Sequence, residues 1–303
     1  MTGTQASNEV RPNRALGIVL AAAASIGLGT AVAMSRMAYE GGANALSIAS
    51  VRSIGVVLLI GALLLIRGRR LQLASWQIPH VLGLGLLLAF MYYGNIAAVQ
   101  YIPVGMAALL FFIYPPLVAL ILVVGFGARF SVAKAAAAIG AFSGLGLALG
   151  VSFTDLRWEG ICLSLGAGCA TAINAVWIGQ KLRAVDALVL TFHMGWISAI
   201  VLWTALLATG GVVAPVTASG WFGATAVILL QMCCLPMYFA SIQHAGAQTA
   251  TMVTNIQPLA SIAAAYALYA EVLSPLQGLG AILVIGSIAL MQLDDGRASR
   301  VSA

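Results

Sequence analysis

The chain has 303 residues, of which 62% are hydrophobic and only 7% charged, with a formal net charge of +6. An ordinary soluble domain carries about 25% charged residues, so the composition excludes a soluble enzyme and a basic nucleic-acid-binding domain and describes an integral membrane protein. With roughly 20 apolar residues needed per spanning helix, the length accommodates about ten spans and almost no extramembrane domain.

Residues 1–14 form a short polar tail, and the apolar run after it is too long for the hydrophobic region of a signal peptide. Apolar runs bounded by charge, Pro or Gly predict helices over 15–36, 44–66, 78–98, 102–125, 131–151, 158–180, 187–208, 219–242, 246–270 and 275–293. A second short tail, 294–303, follows. Cys162, Cys169, Cys233 and Cys234 lie in apolar runs and form neither a disulfide framework nor a metal motif. No cofactor and no metal is expected.

Placing the N-terminus in the cytosol puts Arg11, Arg14, Arg67, Arg69, Arg70, Arg129, Lys134, Lys181, Arg183, Arg297 and Arg300 on the inner side, and only Arg36 and Arg157 on the outer side. This bias orients the chain with both termini in the cytosol and requires an even number of spans. The expected location is the cytoplasmic (inner) membrane, where membrane lipid is the surrounding partner. Monomer and homodimer both remain open.

The stretch over 92–116, YYGNIAAVQYIPVGMAALLFFIYPP, recurs in altered form over 237–258. Ala97 aligns with Ala240, Gln100 with Gln243, Ala107 with Ala250, Ile113 with Ile256 and Pro115 with Pro258. Nearly the same offset lays Gly17-Ile18 on Gly160-Ile161 and Asn44-Ala45-Leu46 on Asp186-Ala187-Leu188. Two related halves, 15–151 and 158–293, are therefore expected. Each holds five predicted helices, and an odd number makes the halves enter the membrane from opposite sides. The predicted fold is an all-α membrane protein of ten transmembrane helices in two inverted five-helix repeats, an arrangement common in secondary transporters.

The five-plus-five plan, the arginine in VRSIGVVLLIGALLLIRGRR and the segment AVQYIPVGMAALLFFIYPPLVALIL resemble the drug/metabolite transporter superfamily, in particular its EamA-type permeases. The resemblance covers 15–293 and implies the ten-helix transporter fold. Within the superfamily the chain is similar to amino-acid exporters of the YddG type. Where many members carry a Trp in the first helix, this chain has Gly27-Leu28-Gly29-Thr30.

Arg52 is the one charged residue well inside a predicted span, ~12 Å below the helix end at a rise of 1.5 Å per residue. A buried charge in a membrane is costly and marks either function or a structural tie to backbone carbonyls, and the sequence leaves both open. The ninth predicted helix carries Gln248, Thr251, Thr254, Asn255, Gln257 and Ser261, more polar groups than helix packing alone requires. Pro258, and Pro115-Pro116 in the fourth, remove backbone donors near mid-depth. Phe111, Phe112 and Tyr114 offer an aromatic wall opposite the amides of Asn255 and Gln257. Tyr92, Tyr93 and Asn95, then Asn174 and Trp177, then Tyr238 are expected to complete the chamber. His193 reads as a neutral imidazole bonded to a neighbouring helix.

An aromatic wall facing amides, with Arg52 as the single chamber cation, suits a small amphipathic substrate, foremost amino acids including aromatic or apolar ones. Another metabolite, a drug, a nucleoside or a nucleotide sugar is the alternative. The spans contain no acidic pair, HExxH helix or nucleophile motif, which argues against an intramembrane enzyme.

Overall fold

The computed structural model describes residues 13–68, 71–127, 157–182, 185–245, 253–254 and 256–301, with scattered residues between 132 and 147. Its helices are α1 (Arg14–Glu40), α2 (Ala45–Ile66), α3 (Ile78–Ala97), α4 (Val104–Phe111), α5 (Tyr114–Phe126), α6 (Trp158–Lys181), α7 (Ala187–Ala208), α8 (Ala218–Ala245), α9 (Ile256–Tyr269) and α10 (Pro275–Val301). Among the described residues, seven helical stretches are long and apolar enough to cross a membrane, and Ile256–Tyr269 and Gly278–Ser287 are shorter apolar helices. The predicted fifth helix, 131–151, falls mostly outside the described residues.

One predicted helix is broken. The run over 102–125 divides into α4 and α5 at Phe112-Ile113, and α5 begins at Tyr114 with proline in its first turn. Two consecutive prolines lack the N–H groups that would bond the carbonyls of Phe111 and Phe112, so the helix cannot run through. Pro258 likewise lies in the first turn of α9.

The two halves use equivalent local devices. Asn44 caps α2 by accepting from the Ser47 N–H at 2.7 Å, and Asp186 caps α7 by accepting from Leu188 at 2.8 Å. These aligned residues satisfy orphan donors at equivalent helix starts. Gly17 lies where a Cβ would sit 2.5 Å from the Cβ of Ala245, and Gly160 where a Cβ would sit 2.9 Å from Ile102. Each glycine lets its own half touch the other half at the corresponding position.

Helix packing follows the same exchange. α1 packs on α8 as α3 packs on α6; α1 packs on α9 as α6 packs on α4 and α5; α2 packs on α8 as α3 packs on α7. α2 and α7 lie against each other at the centre. Ser50 donates to the Leu202 carbonyl at 3.2 Å, and a Cβ on Gly61 would meet Phe192 at 3.0 Å, so the pair runs antiparallel. An all-helical, two-repeat architecture fits this exchange of partners.

Without a hydrophobic drive between helices in lipid, association rests on close packing and interhelical hydrogen bonds. Ser164 donates to the Ala107 carbonyl at 2.7 Å and ties α6 to α4. Ser261 donates to the Gly29 carbonyl at 3.0 Å and ties α9 to α1. Gly29 belongs to the first-helix stretch without a Trp. A Cβ there would stand 2.5 Å from the Gln257 carbonyl oxygen, so α1 and α9 approach to backbone contact.

Candidate functional site

The break between α4 and α5 turns three aromatic rings onto one another. Phe111, Phe112 and Tyr114 form a triangle with centroids 5.5 to 5.6 Å apart, the tilted and edge-on geometry that ring quadrupoles favour. Phe112 is buried against Val284 of α10, whereas Phe111 and Tyr114 are only partly buried. The freed carbonyl of Phe111 lies beside Gly168 of α6, where a Cβ would stand 2.7 Å away.

Tyr114 reaches out of its own repeat. Its hydroxyl hydrogen-bonds the Thr254 side chain, and Tyr238 of α8 is close enough to act on it electrostatically. An aromatic wall from one half thus meets hydroxyl groups of the other at the α4–α5 break. Of the remaining polar residues of the ninth predicted helix, Gln257 is half-buried at the start of α9. Thr251, Asn255 and Gln248 lie outside the described residues.

Arg52 lies apart from that contact, between α1, α2 and α3, and is 4% exposed. Its Nη2 donates to the Tyr92 carbonyl at 2.6 Å, and its guanidinium carbon stands 4.5 Å from the centroid of the Tyr92 ring. The Tyr39 phenol also lies near enough to interact with Arg52 electrostatically, and Tyr39 donates to the Ile96 carbonyl at 2.9 Å. No carboxylate faces Arg52 among the described residues. Its Nε and the Tyr92 hydroxyl are buried without hydrogen-bond partners. A cation held by a backbone carbonyl and a π face retains donor capacity while remaining attached to the helix.

The other candidates are spread along α3 and α6. Tyr93 is half-buried beside Tyr101, and Asn95 is half-buried two residues further along. Asn174 is buried between α6 and α3, where Nδ2 donates to the Leu84 carbonyl at 3.4 Å and contacts Met91 Sδ at 3.2 Å, leaving Oδ1 buried without a partner. Trp177 stands at the end of α6, donating from Nε1 to His80 Nδ1 at 3.2 Å, with Trp76 edge-on to the same His80 ring. This cluster has the makeup of an interfacial aromatic belt. His193 Nδ1 bonds the Val189 carbonyl, four residues back in its own helix, at 2.9 Å; the bond shown among the described residues is within the helix, where one to a neighbouring helix was expected.

Two apolar grooves open on the flanks of the bundle. One of about 500 Å³ lies between α1 and α9, lined by Ile26, Thr30, Ile256 and Leu259. The other, about 390 Å³, lies between α3 and α7, lined by Leu73, Val81, His193 and Trp196. Neither includes Tyr114 or Arg52. Among the described residues no group of three His, Cys, Asp or Glu side chains is arranged to hold a metal ion.

Sequence reasoning did not single out Tyr39, or the pairing of Arg36 with Glu271 at the end of the bundle opposite the N-terminus. Arg36 Nε contacts Glu40 at 2.9 Å and its Nη1 lies 3.7 Å from Glu271 Oε2. A signal for that pair was present, since Arg36 is one of only two cations assigned to that side. Tyr39 had none, because its partners come from two other helices.

No curated protein matches this sequence at a significant level. A solved structure described as "Crystal structure of protein" superposes with a TM-score of 0.66 at 17% identity, covering 94% of this chain and 99% of that one. At that identity the likeness shows the fold alone. The EamA-like transporter family matches twice, over residues 15–150 and 158–293, so that both halves are copies of one domain. The chain therefore belongs to the EamA-like transporter family of the drug/metabolite transporter superfamily, whose members are multi-pass membrane transporters of small substrates and not enzymes.

Proposed function

We propose that this protein is a secondary transporter of small amphipathic metabolites, foremost amino acids including aromatic or apolar ones, working by alternating access. On this reading the chain forms ten transmembrane helices in two inverted repeats in the cytoplasmic membrane, with both termini in the cytosol. It moves substrate through a chamber between the repeats, as the amino-acid exporters it resembles do.

The observation that carries the reading is the hydrogen bond of Tyr114 to Thr254, with Tyr238 in the same neighbourhood, at a broken helix. Broken helices near the midplane of inverted-repeat transporters leave backbone groups available to substrate. Here the break lies beside an aromatic triangle for an apolar side chain and hydroxyls for a polar head. Asn95, Asn255, Gln257, Asn174, Tyr92, Tyr93, Phe111, Trp177, Thr251 and Arg52 belong to the proposed substrate path. The low density of cations argues against phosphorylated substrates, which recruit clustered Lys and Arg.

Every acidic residue, Glu9, Glu40, Asp155, Glu159, Asp186, Glu271, Asp294 and Asp295, lies in a tail, a loop or at a helix end of the predicted topology. Proton-driven carriers place acidic or histidine relays inside the bundle, so we infer downhill uniport or exchange. Purified protein in liposomes, offered a panel of labelled amino acids and nucleosides, tests both points. Saturable flux of amino acids and no accumulation under an imposed proton or sodium gradient is expected. Flux of nucleosides alone would replace the substrate class, and gradient-driven accumulation would overturn the coupling.

A further inference from the structure

The helices form two groups that mirror one another: α1, α8 and α9 on one side, α3, α4 and α6 on the other, with α2 and α7 between them. If access alternates by rocking these groups, the residues that join them at one end act as a gate. Polar contacts between the groups are unevenly distributed. At the end opposite the N-terminus, Glu271 Oε2, in the loop after α9, accepts from the Val104 N–H at the start of α4 at 3.3 Å. There too the Tyr39 hydroxyl of α1 donates to the Ile96 carbonyl of α3 at 2.9 Å. At the N-terminal end, the contacts among the described residues stay inside a group. The Asn13 N–H donates to His244 Nδ1 between α1 and α8, and Trp177 donates to His80 between α6 and α3.

We propose that Glu271, seated on the N-terminus of α4 and flanked by Arg36, is the latch that closes the outer end of the transport path and leaves α4 whenever that end opens. This rests on the transport reading above.

The chemistry suits a reversible closure. The first turn of α4 presents N–H groups without intrahelical partners, and a carboxyl group at a helix N-terminus satisfies one of them and meets the positive end of the dipole. Yet the seat is incomplete. Glu271 Oε1 is buried with no hydrogen-bond partner, Arg36 stands off at 3.7 Å, and the closer partner of Arg36 is Glu40. A carboxyl group held by one oxygen, with its cation shared, closes the gap without locking it. Arg36 also lies over the Tyr269 ring at 4.6 Å, and Tyr269 donates to the Ala33 carbonyl at 2.8 Å, so the latch is anchored on the α1–α9 side and releases from α4.

Gly105 offers a reporter beneath the latch. A Cβ there would meet Leu273 of the loop after α9 and Ile262 of α9 at 3.4 and 3.5 Å, ordinary contact distance, so there is room for the Cβ of Gly105→Cys. With the four native cysteines replaced by alanine, labelling of this thiol in liposomes by a membrane-impermeant maleimide reads opening of the outer end, and flux is measured in parallel. Glu271→Ala removes the cap and is expected to speed labelling at least fivefold. Glu271→Gln keeps an oxygen that accepts from α4 and removes the buried charge, and is expected to label no faster than the parent. Should Glu271→Ala fail to fold, Tyr39→Phe removes the second tie between the groups and is expected to raise labelling at least twofold. Unchanged labelling in well-folded Glu271→Ala, or Glu271→Gln labelling as fast as Glu271→Ala, overturns the latch; if Glu271→Ala does not fold, unchanged labelling in Tyr39→Phe does so. The expected labelling pattern in protein that moves no tested solute leaves the latch standing and overturns the transport reading instead.

Discussion

Arg52 and Tyr92 bind each other twice: the guanidinium donates to the Tyr92 carbonyl at 2.6 Å and lies 4.5 Å from the centroid of the same residue's ring. The arrangement places a buried cation in the membrane interior without a carboxylate facing it among the described residues, and it joins α2 to α3 through backbone and side chain together. Removing it should cost about 4 kcal/mol, the sum of a charged hydrogen bond and a desolvated cation–π contact at about 2 kcal/mol each. Arg52→Ala should lower the melting temperature in detergent, whereas Arg297→Ala should leave it unchanged. If Arg52→Ala gives normal yield with lost flux, the side chain serves substrate; if yield and flux are both normal, neither role stands.

Tyr114→Phe keeps the aromatic triangle and deletes only the hydroxyl that meets Thr254. A lost neutral hydrogen bond is worth about 1 kcal/mol. Thermal stability should fall by no more than that energy, and because the transport reading has the hydroxyl bond substrate in place of Thr254, flux at low substrate should fall about fivefold, corresponding to one such bond. A large fall in stability with unchanged flux would place Tyr114 in the packing and not in the path.

Gly29→Ala places a methyl group 2.5 Å from the Gln257 carbonyl oxygen, with backbone on both sides of the contact. Neither helix can yield without breaking the bond from Ser261 to the Gly29 carbonyl. Overpacking of this kind costs about 1–3 kcal/mol. Gly83→Ala, where a Cβ would meet nothing within 4 Å, is the control. Thermal unfolding in detergent should separate the two variants by several degrees.

Burial raises the Glu271 carboxyl above the usual carboxylate range, outweighing Arg36 and the N–H groups of Val104 and Gly105. The groups facing it are Arg36 from α1, which is shared with Glu40, Tyr269 from the end of α9 and the uncharged start of α4. With the outer end open the carboxyl meets water and returns to its ordinary value. The closed end thus binds the proton more tightly, so closure is most favoured below the ordinary carboxylate value and weakens as pH rises through the raised one. Fluorescence of an environment-sensitive dye on Gly105→Cys should report a more hydrated site as external pH rises, and Glu271→Gln should abolish that dependence. The same dependence in Glu271→Gln would assign it to another group.

The amino-acid sequence by itself determined the class of the molecule, the position of most helices, the duplication and the break at Pro115-Pro116. Each rests on a local property: hydrophobic length, charge at helix ends, a repeated pattern, or a ring that removes an N–H group. The caps at Asn44 and Asp186 were legible in the same way, because a cap bonds its own helix start. Tertiary structure decided which helices touch, and so the role of each polar side chain. Arg52 faces Tyr92 and Tyr39 because α1, α2 and α3 converge there, a meeting of distant segments that periodicity does not encode. Trp177 pairs with His80 and His193 with its own helix for the same reason: a polar side chain in a membrane takes the nearest donor or acceptor that packing brings within reach. Gly29 shows how the two levels join. Its lack of a side chain is written in the sequence, but only the fold reveals that the vacant space is filled by the backbone of α9.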